Sequence, residues 1–517
     1  MHALHWFDLF IVVLYLLGIA AVGAWFARGP RTADGFFLAG RRVPGWVVGF
    51  SLIGTIISSV SFVAFPGTAF NDGWHLLIPN LMVPPILLFV MVYVVPFYRQ
   101  VVRMSSYEYL ERRFGVAARL YGSASFLLLR VVDVGFTMLL TSIALEVMTG
   151  WNLYLVLAAL GTFTLAYSVI GGVEAVIWTD VAQGLILFVG ALAVLAVLLF
   201  LPEGGPAAVV SAAYADGRFS IGPLTGGVEP GRPPGWLLAL AGIIHFGRSY
   251  GTEQHMVQRY LVAHSDGDAR RGVLVGALGS LVIWVMFFFI GSCLWGFFQV
   301  TGETLPREVS TQPDNILPFF IMRYLPVGLV GLLVAAIFAA ANSTVSADLN
   351  SVATAVTADF FTRARPHASD RARLLFGRAA LCLAGLTSMS IAAFLALQRG
   401  RALYEVFVTL SMILAGGMLG LFALGFFCRR ATRAGAYVAI AITLLFVIWA
   451  TATGPLGVHL PVRFGWHPLM IGVISNVLLF VVGYLASRWL GGGAEAQASD
   501  LLISGAGVRS AGNGGVA

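Results

Sequence analysis

The chain contains no lysine, only three cysteines and few charges of any kind: 11% of its 517 residues are charged. A soluble domain carries about 25% charged residues, so this scarcity excludes a water-soluble globular protein. Cys293, Cys382 and Cys428 sit in separate apolar runs without a pairing spacing, which argues against a disulfide framework or a zinc site. Without lysine, the 31 basic residues are all arginine and the net charge is +7. Those arginines lie scattered between apolar stretches, so they report membrane topology and not nucleic-acid binding.

What the chain has in abundance is hydrocarbon, with 59% hydrophobic residues, 60 glycines and a mean hydropathy of +0.88. Apolar runs of about 20 residues match the bilayer core. They fall near 6–26, 46–70, 76–97, 120–149, 152–171, 174–200, 236–258, 272–299, 327–359, 373–397, 401–427, 433–453 and 467–490. The pattern predicts an all-α integral membrane protein with about thirteen transmembrane helices in one domain, 1–490. The Gly/Ala/Ser-rich stretch 491–517 is expected to be a disordered cytoplasmic tail. With the N-terminus outside, Arg28, Arg31, Arg41 and Arg42 share one side with Arg99, Arg103, Arg112, Arg113 and Arg119 and with Arg363, Arg365 and Arg371. That side is the cytoplasm by the positive-inside rule, and an odd number of spans places the C-terminus there too.

Polar residues inside the spans carry the functional signal. In the ninth span, Ala340, Ser343 and Thr344 follow an i, i+3, i+4 spacing, so one helix face offers a carbonyl and two hydroxyl oxygens. Buried neutral oxygens suit a weakly held, exchangeable hard monovalent cation. The alternative is that the hydroxyls only bond the preceding turn or allow close helix packing. Two spans are interrupted, the second by Gly54, Ser58, Ser59 and Ser61 and the seventh by Gly247, Arg248, Gly251 and Glu253. Broken helices at corresponding places five spans apart fit two inverted five-helix repeats, about 46–200 and 236–427, with binding sites at the breaks. Dispersed histidines, with no convergent nucleophile and base, argue against an enzyme.

Five motifs carry a family resemblance: FFLAGRRVPGW at 36–46, SYEYLERRFG at 106–115, GGVEAVIWTD at 171–180, QRYL at 258–261 and AAANSTVS at 339–346. In this order they resemble the sodium/solute symporter family, which includes sodium/glucose cotransporters. The resemblance implies a sodium-coupled symporter of the plasma membrane, working by alternating access, with Na+ as coupling ion and a small solute as cargo, functional as a monomer. It implies a sodium site formed by the carbonyls of Gly54, Ile57 and Ala340 and the hydroxyls of Ser343 and Thr344. Losing one such oxygen is expected to cost on the order of 1–3 kcal/mol of ion binding.

Asp180 with Ser346 is implied as a second ion site or exit route, or else Asp180 is a carboxylate bonded near a helix end. Position 347 is alanine, one oxygen short of the two-sodium pattern, which favours one sodium per cycle. The implied solute pocket includes Ser58, Ser61, Asn80, Asp133 and Glu253. An intramembrane carboxylate at 133 favours a neutral sugar or polyol, with a cationic or zwitterionic amine as the other candidate, over an acidic sugar. Equally, Asp133 and Glu253 pair with Arg130 and Arg248 and touch no solute. Trp74, Phe246 and Tyr250 are candidates for stacking on a ring, and His245 and His255 raise a proton-coupled variant. A sensory member of the same fold is disfavoured, since no signalling domain follows the last span.

Overall fold

The computed structural model describes residues 4–26, 32–101, 105–310, 312–397, 410–411, 413–490 and 501–503, and it is helical throughout, with one isolated β-bridge among those residues. The helices that build the site are α1 (Trp6–Phe26), α2 (Gly45–Ile56), α3 (Ser59–Asp72), α4 (Val116–Thr149), α5 (Leu153–Phe200), α6 (Gly235–Thr252), α7 (Gln254–Val262), α8 (Asp266–Thr301) and α9 (Leu329–Val356). Eight helices among the described residues are long and apolar enough to cross a bilayer, and the bent pair of α2 and α3, meeting at 57°, makes a ninth span.

The reading of about thirteen spans counts further segments. It divides α5, which is one unbroken helix by hydrogen bonding except at Gly172, where φ is +65°. At 1.5 Å per residue an uninterrupted helix of that length would far exceed the roughly 30 Å hydrocarbon core. Only glycine fits this turn, because an added Cβ would lie 2.7 Å from the Phe36 ring and 2.9 Å from its carbonyl. The reading also counts the shorter apolar helix of α1, the broken pair α6–α7, and the span at 401–427, of which 401–409 and 412 lie outside the described residues. The tail at 491–517 is likewise outside them, apart from 501–503.

Both expected interruptions are present, and they share one backbone geometry. Ile57 ends α2 at φ −87°, ψ 102°, and Glu253 separates α6 from α7 at φ −85°, ψ 136°. Neither helix continues through its break, so the last carbonyls of α2 and of α6 lose their helical donors. The two broken elements are tied together: the Val43 amide donates to the Val262 carbonyl, and the His264 amide donates to the Val43 carbonyl.

Small residues let the helices approach closely enough to enclose these breaks. A Cβ on Gly272 of α8 would meet Val48 at 2.7 Å, and one on Gly276 would meet Leu52 at 2.6 Å. The apolar start of α9 is closed by Asp8 of α1. Its buried Oδ1 accepts from the amides of Gly328 and Gly331 at 2.7 and 2.8 Å. A carboxylate there satisfies donors that hydrocarbon cannot, and its charge suits the positive end of the helix. This pins α9, whose middle lies between α4 and α5 and against α2.

Candidate functional site

The break after α2 faces the polar stripe of α9. Thr344 Oγ1 lies 3.2 Å from the Ala340 carbonyl and 3.4 Å from the carbonyls of both Gly54 and Thr55. One hydroxyl proton cannot serve three acceptors, so this point carries more oxygen lone pairs than donors, as a cation site requires. Ser343 Oγ, one residue earlier, donates to Asp180 Oδ1 at 2.5 Å. Its proton is thereby directed to α5, and its lone pairs are left facing the break. Gly54 has no room for a side chain, since a Cβ would sit 2.7 Å from Ser343 Oγ and 3.2 Å from Asp180 Cβ. Ile57 stands at the unwound junction itself. Of the five residues expected to hold sodium, Gly54, Ala340, Ser343 and Thr344 are thus brought together, with Ile57 at the adjoining break.

Asp180 lies about two turns past the Gly172 break, and its bonds are to side chains and not to a backbone amide. It is fully buried along α5, where Oδ2 accepts from Ser51 Oγ at 2.6 Å and from Arg259 Nη2 at 3.2 Å. Arg259 also donates to Ser51 Oγ at 3.1 Å and to the His255 carbonyl at 2.8 Å. The carboxylate is therefore charge-matched, and the oxygens one residue away remain formally neutral. Ser346 turns elsewhere, donating to the Ser343 carbonyl at 3.0 Å within its own helix.

Beside the cation site opens a cavity of about 220 Å³ between the two breaks. Ser58, Ser61, Asn80 and Asp133 of the expected solute residues line it, together with Thr344 from the cation site. Phe246, Tyr250, His245 and His255 line it as well, and so do Phe65 and Trp284, which sequence reading passed over. Trp74 does not line it, and its Nε1 instead donates to Ser292 Oγ at 2.8 Å.

Glu253 lies behind this wall, ion-paired with Arg248, 3.3 Å from Arg130 Nη2 and 3.3 Å from His255 Nδ1. Asp133 both lines the cavity and pairs with Arg130, at 2.6 Å, while accepting from Ser411 Oγ at 3.2 Å. Arg130 reaches a third carboxylate, Asp348, at 3.3 Å. Asp133, Glu253 and Asp348 against Arg130 and Arg248 leave one carboxylate in excess. Burying such groups is tolerable only while they stay paired.

Four residues important to this geometry escaped the sequence reading: Asp348, Arg259, Ser51 and Ser411. Asp348 carried a legible signal, being an intramembrane carboxylate one turn after Thr344. Arg259 sat inside the QRYL motif without an assigned partner, because Asp180 is 79 residues away.

Residues 36–443 match the Sodium:solute symporter family. The chain is 32% identical to the sodium/sialic acid symporter NanT of Aliivibrio fischeri over 474 residues, 92% of this chain and 91% of that protein. It is 34% identical to the sodium/sialic acid symporter SiaT of Proteus mirabilis over 442 residues, 84% of this chain and 88% of that protein. Among solved structures, a substrate-bound, outward-open Na+-coupled sialic acid symporter superposes with a TM-score of 0.85 at 30% identity, covering 94% of this chain and 98% of that one.

Proposed function

The chain belongs to the sodium:solute symporter family, and from that premise we propose that it imports a carboxylated sugar of the sialic-acid class. It is a sodium-coupled symporter, a multi-pass membrane transporter with Na+ as its coupling ion. The observation that carries the finer reading is the cavity wall, which Arg130 lines together with Ser58, Ser61 and Asn80. A guanidinium suits a carboxylate, and hydroxyl and amide groups suit a polyhydroxylated ring. The sialic acid carried by the two relatives and by the neighbouring structure supports the same choice over the neutral sugar that a carboxylate at 133 first favoured.

In this reading the N-terminus is external, the C-terminus cytoplasmic, the membrane the plasma membrane and the working unit a monomer. Sodium sits among the Gly54, Ile57 and Ala340 carbonyls and the Ser343 and Thr344 hydroxyls and steadies the break against α9. Solute then completes the adjacent cavity and the two repeats rock. The ion leaves past Asp180, whose charge matching by Arg259 keeps it from becoming a trap. Sodium and solute must favour the same state, so each raises the other's affinity by one factor.

One observation favours a second reading. Arg130 is already held by Asp133, Glu253 and Asp348, which leaves a neutral polyol or an amine as the alternative solute. Thermal stability of the purified protein with N-acetylneuraminate, glucose, a polyol or an amine, in sodium and in potassium, tests both. N-acetylneuraminate should stabilise in sodium and far less in potassium. Stabilisation by a neutral sugar or amine alone removes the acidic-solute reading, and equal stabilisation in potassium removes the coupling.

A further inference from the structure

We propose that Asp348 is the positioning residue through which sodium and solute sense each other. The inference rests on the reading above, in which the cation lies at Thr344 and the solute carries an acid. Asp348 follows Thr344 by four residues on α9, so the two side chains stand one turn apart on the same face. Both open on the cavity, although Asp348 is only 1% exposed. At the cavity wall it meets Arg130, whose Nη1 lies 3.3 and 3.5 Å from its two oxygens. Arg130 grips Asp133 at 2.6 Å, which makes Asp348 the looser of these two holds.

A cation arriving beside Thr344 comes within about one 5.4 Å turn of the Asp348 carboxylate, close enough for strong attraction in the protein interior, where screening is weaker than in bulk water. Drawn toward the ion, Asp348 relaxes its hold on Arg130 and frees guanidinium donors for the acid of the solute. The exchange also runs in reverse: an acid seated on Arg130 releases Asp348 toward the cation. Each ligand therefore favours the other, with the sign that symport requires. Neutral oxygens alone would hold the ion without regard to the cavity, whereas a charge shared between ion and guanidinium makes its binding conditional. Asp133 and Glu253 keep Arg130 paired, so the cluster tolerates loss of the third carboxylate.

The test is a sodium titration of thermal stability without solute, on wild type and on Thr344→Ala, Asp348→Asn and Asp348→Glu proteins in lipid nanodiscs. Thr344→Ala reports on the cation site by itself, and an unchanged midpoint there removes the reading on which the proposal stands. With that control in place, Asp348→Asn should raise the sodium midpoint threefold or more, and Asp348→Glu, which restores the charge, should stay within twofold of wild type. With N-acetylneuraminate present, the gain in its affinity on adding sodium should fall in Asp348→Asn to under a third of the wild-type gain. A wild-type sodium midpoint in Asp348→Asn overturns the proposal. If that protein does not fold, Asp348→Ser, equally uncharged and smaller, is held to the same criterion.

Discussion

The cation site and the solute cavity touch at Thr344, yet they are built on opposite principles. Around the break of α2 the oxygens are carbonyls and hydroxyls, and the carboxylate bonded to Ser343, Asp180, is matched by Arg259. Around the break of α6 the groups are ionisable, with two arginines among three carboxyl groups. A neutral cage binds an alkali ion weakly enough to release it in every cycle. A charged cluster is rigid while its pairs hold and rearranges when a new charge enters. Ready exchange belongs to the first region and selectivity to the second.

The comparison breaks most severely where a pair is halved. Asp180→Ala strands Arg259 in a fully buried position, and removing one partner of a buried pair costs about 3–5 kcal/mol. The expected outcome, read by thermal unfolding, is a large loss of stability that Asp180→Ala/Arg259→Ala partly restores. Next comes the cage itself. Ser343→Ala/Thr344→Ala removes two oxygens worth about 1–3 kcal/mol each, so sodium-driven uptake into proteoliposomes should fall by roughly thirtyfold or more. Unaltered sodium dependence in that double variant would remove the cation site from this part of the molecule.

Gly54→Ala tests the same cage by crowding and not by deletion. Its new methyl lies 2.7 Å from Ser343 Oγ, and such overpacking costs about 1–3 kcal/mol, which should appear as a raised sodium midpoint. Asp133→Asn sharpens the contrast between the regions through the sign of its effect. If the solute is acidic, loosening Arg130 should tighten N-acetylneuraminate about tenfold, equivalent to about 1.4 kcal/mol. If the solute is a polyol or amine, its binding should instead be lost.

The smallest effect is expected far from both regions, at Glu111, which pairs with Arg119 at 2.6 Å and with Arg363. Partial burial pushes this carboxyl up, but the guanidiniums of Arg363 and Arg119 outweigh it and hold it below its ordinary value. A depressed carboxyl adds stability above its unfolded value, and that stability fades as pH falls through the folded one. Glu111→Gln should therefore lower stability by under about 1 kcal/mol near neutral pH and by less in acid, as thermal unfolding across pH would read.

Much of this was legible because the membrane imposes a strict grammar. Apolar run length marked the membrane-crossing helices but not their exact number, and glycines among hydroxyls marked both breaks. The i, i+3, i+4 spacing on α9 put Ala340, Ser343 and Thr344 on one face. What stayed hidden were pairings between distant segments. Arg130 offered Asp133 as a neighbour on its own helix but not Asp348, which is 218 residues further along. Sequence alone makes Glu253 a candidate for the cavity wall, and the turn of α6 into α7 sets it behind that wall against Arg248 instead.

By itself, the sequence determined the solvent of this protein, the helical form of its chain, the positions of its two interruptions and the oxygen stripe that faces one of them. These follow from local chemistry, because a backbone in hydrocarbon must bond to itself and hydroxyls must recur at the helical period to share a face. Tertiary structure alone decided which carboxylate answers which arginine and which side chains reach the cavity. Charge pairing acts over a few ångströms in space, and separation along the chain does not encode it.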